Sequence, residues 1–283
     1  MAASGVFVSE CNAVRHAHSG GFRSWKGRRS WVLRPVRGDG GPSQDPAVSA
    51  GLLLSTEVPA AERQRVQSKY ALPQRDLFYP AQFWPHKNHH RIVQALERLK
   101  RLHGLGIPVV FCGSPQGAIR EGHLRLVESM ARCGGVSEQV HQLGYVPEED
   151  MSALYAGAAA LVMPTFFGPT NMPVLEAWAF GCPVITSDIR GIREQAGEAA
   201  LLVDPRSTDE LARAVHRLWT DDGLRDELRR KGYQRLAEYG PDDFRRQLRS
   251  ILEEAADRVR AGDYPSVPAL ASRASRLNRD ESA

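Results

Sequence analysis

The chain has 283 residues, 42% of them hydrophobic and 25% charged, the balance of a soluble globular protein with one large domain or two small ones. No apolar run reaches the roughly 18 residues that a membrane-spanning helix needs, so no membrane span is expected. The formal charge of +4 comes entirely from residues 1–50, which hold seven Lys/Arg against three Asp/Glu; the rest balances at 30 against 30, so the basic pI marks no nucleic-acid-binding face on the folded part.

Residues 1–58 read as a disordered or spurious leader. The stretch GGFRSWKGRRSWVLRPVRGDGGPSQDP is rich in Gly, Arg, Ser and Pro and carries too little apolar surface to offset chain entropy. It has no apolar core of secretory length. AAERQRVQSKY (60–70) reads as a short helix entering the domain.

From Asp76 strands and helices alternate. DLFYPAQF, IPVVFCG, EQVHQLGYV, AALVMPT, CPVITSD and AALLVD read as short buried strands. The helices between them are NHHRIVQALERLKRLH, GAIREGHLRLVESMARC, PEEDMSALYAGA, MPVLEAWAFG and the short GIREQA. Further helices cover 207–219, about 222–238 and about 241–260, the last with Phe244, Leu248, Ile251 and Leu252 along it. The pattern predicts an α/β fold over 59–260: a single Rossmann-like domain, its parallel sheet covered by helices on both faces. Residues 261–283 read as a disordered tail. The four cysteines, Cys11, Cys112, Cys133 and Cys182, form no CxxC and read as reduced, mostly buried thiols of a cytoplasmic protein. No His spacing suits a metal, so none is expected.

In such a sheet ligands sit beyond the carboxyl ends of the strands. The loop TFFGPTNMPVLEA carries the most chemistry. Thr170 and Asn171 suit a helix cap and Pro173 its first turn, so the free N–H groups there form an anion site fit for phosphate. Gly168 lets backbone approach a ligand. Glu176 either accepts two hydrogen bonds from a vicinal diol such as ribose or simply favours the helix start electrostatically. In FWPHKNHH, Lys87 either balances a departing diphosphate or is a solvated loop residue. Asn88 reads as a helix N-cap, and His86, His89 and His90 as surface residues. Tyr145 and Val146 either flank a planar base or form an ordinary strand–helix junction. Gly113 permits close approach of a phosphate. The absence of GxGxxG argues against a nicotinamide-dependent oxidoreductase.

Taken in order, YPAQFWPHKNH, FCGS, HQLGYVPEEDMSALYAGAAALVMPTFFGPTNMPVLEAWAFGCPVITSD and GIREQAGEAALLVDP resemble the retaining glycosyltransferases of family 4, also called glycosyl transferases group 1, over about residues 70–239. The resemblance implies the C-terminal, donor-binding half of a GT-B fold. It implies transfer of a hexose from a nucleoside diphosphate sugar to a hydroxyl acceptor with retention, the nucleotide sugar being a substrate and no cofactor or metal being obligatory. Lys87 matches the family lysine on the donor diphosphate. Glu176 matches the second Glu of the E-x7-E motif, on the ribose. Asn171, Met172 and Pro173 match the backbone facing diphosphate and sugar, and Tyr145 and Val146 fall where the base is held.

Two positions depart from the pattern. Gly168 stands where the first Glu of E-x7-E belongs, and Gln82 where an Arg is usual. No N-terminal Rossmann pattern precedes Tyr70, and His16 and His18 match nothing in the family. The alternative is therefore a truncated, non-catalytic nucleotide-sugar-binding module that needs a separately encoded N-terminal domain as partner. The final helix resembles the one that crosses back to that domain.

Overall fold

The computed structural model describes residues 57–168, 171–238 and 241–262. The predicted leader (apart from Glu57 and Val58), most of the predicted tail, His16, His18, Cys11 and Thr170 lie outside the described residues. Among those described, six strands run β1 (Leu77–Pro80), β2 (Val109–Cys112), β3 (Val140–Gln142), β4 (Ala160–Met163), β5 (Val184–Ser187) and β6 (Leu201–Val203). The helices are α1 (Ala60–Lys69), α2 (His89–His103), α3 (Ala118–Cys133), α4 (Glu148–Gly157), α5 (Met172–Ala179), α6 (Ile192–Ala196), α7 (Thr208–Thr220), α8 (Asp222–Ala237) and α9 (Pro241–Arg260).

All six strands are parallel, in the order β3-β2-β1-β4-β5-β6. This is the doubly wound order of a Rossmann-like sheet, with the switch in strand order between β1 and β4. Leu77 pairs with Val109 on one side and Ala160 on the other, which fixes the register at the centre. Strands β2, β4 and β5 are buried at every residue, as sheets covered on both faces require. Each strand is shorter than the stretch that predicted it; EQVHQLGYV begins in a 3-10 turn (Ser137–Gln139), gives only Val140–Gln142 to β3 and ends in the loop leaving the sheet.

Two helical layers enclose the sheet. Helix α2 turns Ile92, Val93, Leu96 and Leu99 inward and packs against α3 and α7. Helix α4 packs against α1 and α5. The α1–α4 contact is polar at its centre: Arg65, Lys69 and Tyr70 all reach the Asp150 carboxylate, at 2.6, 2.6 and 2.7 Å. Asp150 has no accessible side-chain surface, and hydrogen bonds from Lys69 and then Tyr70 hold its carboxyl well below the usual range. Trp178 of α5 donates to Ala199 O and meets Gly232 of α8, where an added Cβ would come within 2.5 Å of its ring. Cys112 and Cys182 are buried free thiols. Among the described residues, those from Ala237 onward form a separate unit, whose helix α9 exposes Leu248, Ile251, Leu252 and Val259. No helix among the described residues is long and apolar enough to cross a membrane.

Candidate functional site

The loops leaving β1 and β4, on either side of the switch point, are tied into one unit. Phe166 N–H donates to His86 O at 2.8 Å, and Thr165 Oγ1 bonds His86 O at 3.1 Å. Asn88 lies at the head of α2, but its side chain does not cap the helix. Its Nδ2 donates instead to Pro164 O and Pro205 O, both at 2.8 Å, so one fully buried amide ties three loops together. A left-handed backbone at Asn88 (φ 63°) aims the side chain across the strand ends and away from the helix's own N–H groups, which corrects the cap reading.

Lys87 ends a single 3-10 turn, Pro85–Lys87, and its carbonyl accepts from the Tyr79 hydroxyl at 3.0 Å. The side chain is half-buried and pairs with no carboxylate among the described residues. Desolvation pushes its pKa down from the ordinary lysine value. An ammonium that is partly stripped of water and unpaired is stabilised by any anion that reaches it.

Glu176 sits in the second turn of α5, half-buried. Its Oε2 accepts a 2.5 Å hydrogen bond from the Tyr155 hydroxyl. Tyr155 comes from the last turn of α4 and is 1% exposed, its ring edge-on to Phe78 at 5.0 Å and stacked on Phe180 at 6.0 Å. Burial first, and then the Glu176 charge, push the Tyr155 pKa well above 10, so the hydroxyl is a permanent donor. Burial first, and then the same carboxylate, push the Cys112 thiol at the end of β2 up to about 12. Nothing in the sequence singled out Tyr155; a Tyr in an otherwise small-residue helix end, ALYAGA, was the available signal.

Gly113, at the exit of β2, has a structural reason to be glycine. Its φ is 150°, and a Cβ there would lie 2.5 Å from Ala81 O and 2.7 Å from Ala81 C. The close approach it permits is to the β1 exit loop. Its N–H donates to Gly144 O at 2.7 Å, which links the β2 exit to the loop bearing Tyr145 and Val146. Tyr145 is 79% exposed, whereas Val146 is buried in the core. Asn171 precedes α5 in a left-handed conformation without capping it, and Met172 and Pro173 form the half-buried first turn.

Three histidines differ from the surface expectation. His89 is fully buried, stacked on Phe83 at 4.5 Å and accompanied by His123, with His90 beside it; His86 is half-buried. The helix α2 face that carries Ile92, Val93 and Leu96 begins one turn earlier than the aliphatic period showed, because imidazole rings continue it. Among the described residues no group of three or more His, Cys, Asp or Glu is placed to hold a metal. The site's rim is aromatic and cationic: Trp84 lies under Arg120, Phe166 under Arg206, and Phe167 edge-on to His86. Of these rim residues the sequence singled out only His86, as a surface residue.

A family model described as glycosyl transferases group 1 matches residues 61–235. The O-antigen chain mannosyltransferase B of Escherichia coli is 31% identical over 180 residues, covering 63% of this chain and 46% of that protein. Among solved structures, the C-terminal domain of a glycosyl transferase group 1 family protein of Francisella tularensis superposes with a TM-score of 0.56 at 18% identity, covering 68% of this chain and 98% of the domain. Anabaena HepE in complex with UDP and glucose gives a TM-score of 0.61 at 14% identity, covering 70% of this chain and 53% of that one. Likeness at these identities speaks to the fold alone. The chain spans about half the length of the curated relatives it matches.

Proposed function

The chain belongs to the glycosyl transferases group 1, and from that premise we propose that it is the donor-binding half of a retaining, family 4 GT-B enzyme. It binds a nucleoside diphosphate sugar and moves the hexose to a hydroxyl acceptor. Glu176 holds the ribose, Lys87 and the first turn of α5 meet the diphosphate, and the β3 exit at Tyr145 and Val146 holds the base. As the bond from sugar to diphosphate breaks, negative charge grows on the leaving oxygen. A fixed cation and helix N–H groups in a partly dry site stabilise that charge without reorganising, and no metal is obligatory.

Two observations carry this reading together: a half-buried Lys87 that pairs with no carboxylate among the described residues, and, on the helix after the loop bonded to its turn, a carboxylate, Glu176, braced by Tyr155. One group waits for an anion, and the other is held still with one oxygen free to accept from a diol. The test is titration with UDP, GDP and ADP against the parent nucleosides. Lys87→Ala is expected to weaken the diphosphate far more than the nucleoside, and equal losses would refute a phosphate contact.

A second reading has one observation in its favour, the coverage of about half of the relatives' length. In it the chain binds donor and turns over only with a separately supplied N-terminal domain. Transfer or donor hydrolysis by the purified chain alone would exclude it.

A further inference from the structure

A buried carboxyl stands without a partner at the opposite end of the sheet from the candidate donor site. Asp76 directly precedes β1, whose far end leads to the Lys87 turn. Its backbone carbonyl accepts from Ala159 N–H at 2.8 Å, which seats it at the foot of β1 and β4. The residue is 7% exposed, and among the described residues no hydrogen bond or ion pair reaches its side chain. Burial alone pushes its pKa up to about 7. Asp150, buried on α4, takes three donors, whereas Asp76 takes none. A buried carboxyl is ordinarily paired or hydrogen-bonded, so one left open requires a reason.

Asp76 lines a cavity of about 320 Å³ between α1 and α4. Val66, Leu72 and Leu154 give it apolar walls, and the exposed Arg63, Gln64 and Gln74 stand at its mouth. The wall is fixed in place: Gln67 Nε2 donates to Pro73 O at 2.9 Å, which ties α1 to the segment leading into β1. The cations that could have neutralised Asp76 from inside are engaged elsewhere. Arg65 and Lys69 hold Asp150, and Arg75 turns away to Leu218 O and Trp219 O. The volume suits a small compound, at the lower end of ligand pockets.

We propose that this cavity binds a small primary amine, its ammonium pairing with the Asp76 carboxylate and its stem lying on the apolar walls. The ammonium supplies the charged hydrogen-bond partner that the fold withholds, so the ionised carboxylate is stabilised where it stands. Arg63 at the mouth repels a second cationic end, so the ligand carries a single ammonium. This site lies at the other end of β1 from Lys87 and stands independently of the donor site.

The test is calorimetric titration of the wild-type chain with butylammonium, 1-butanol and butyrate. One stem carries three head groups, so a difference in affinity reports the head. The wild type is expected to bind butylammonium with a Kd of about 1 mM, within what five non-hydrogen atoms can give, and the alcohol and the carboxylate about tenfold more weakly or worse. Asp76→Asn keeps the shape and removes the charge, and is expected to lose about tenfold or more on butylammonium. Ala60→Trp narrows the cavity from the exposed first residue of α1 without touching Asp76, and is expected to lose binding as well; it carries the test if Asp76→Asn does not fold. No saturable binding of butylammonium by the wild type, equal affinity for the alcohol, or undiminished binding in either folded variant would overturn the proposal.

Discussion

Tyr155→Phe isolates the brace behind Glu176. The substitution removes one oxygen and keeps the ring, so the edge-on contact with Phe78 and the stack on Phe180 persist and no cavity opens. What is lost is a 2.5 Å hydrogen bond from a fully buried hydroxyl to a carboxylate. A bond to a charged acceptor is worth about 1.5–3 kcal/mol. Glu176 is only half-buried, so water replaces part of the loss and the lower end of that range applies. At about 2–4 °C per kcal/mol for a domain of this size, the melting temperature falls by about 3–6 °C. Nucleotide affinity falls because a carboxylate freed to rotate must be ordered again on binding. The assay is titration with the nucleoside diphosphate that binds and with its 2′,3′-dideoxy analogue. Several-fold weaker binding of the parent with no change for the analogue is expected, since only the parent offers hydroxyls to Glu176. Equal weakening of both would show that Tyr155 acts on the fold alone and would refute the reasoning.

Three further outcomes follow from the same geometry. Gly113→Ala drives a Cβ into the Ala81 and Gln82 backbone at 2.5–2.8 Å in a strained φ, and the cost of about 3 kcal/mol should appear as a melting temperature about 6–12 °C lower. His89 is buried neutral with its pKa held well below 6.5 by desolvation and then by His123. The unfolded chain therefore takes up that proton first: stability is full above about pH 6.5 and declines below it by about 1.4 kcal/mol per pH unit for this group, towards the lower folded pKa. Thermal melts between pH 7.5 and 5.5 should show the decline, with a shallower slope in His89→Phe. Gly232→Ala pushes against the Trp178 ring and should lower the melting temperature by several degrees; an unchanged melt would show that α8 is not seated on α5 as described.

The parallel sheet was legible because its strands are short and separated by helices with a clear apolar face; parallel pairing follows from that alternation, whereas the strand order is fixed only by the fold. Local position was legible for some candidate residues: Lys87 lies just before α2, and Pro173 and Glu176 lie within α5. It was not legible where a side chain acts across the chain. Asn88 looks like a cap, and only the fold brings Pro164 and Pro205, 76 and 117 residues away, to its amide. His89 and His90 look polar, yet both are buried, His89 stacked on Phe83 and His90 edge-on to His123, and they serve as core. Gly113 reads as room for a ligand, and the fold adds a packing reason for the glycine, the Ala81 backbone that a Cβ would meet. Tyr155 meets Glu176 from 21 residues away, on a different helix.

In the proposed donor site, the strand ends between β1 and β4 hold a nucleoside diphosphate, with Lys87 on the diphosphate and Glu176 on the ribose. The most direct measurement is calorimetric titration of the wild-type chain, Lys87→Ala and Glu176→Ala with UDP, GDP and ADP and with the matching nucleosides. The wild type is expected to bind at least one diphosphate at least tenfold more tightly than its nucleoside, Lys87→Ala to remove the difference, and Glu176→Ala to weaken both ligands with the fold intact. Binding of none of the three diphosphates, or binding indifferent to both substitutions, would contradict the proposed site.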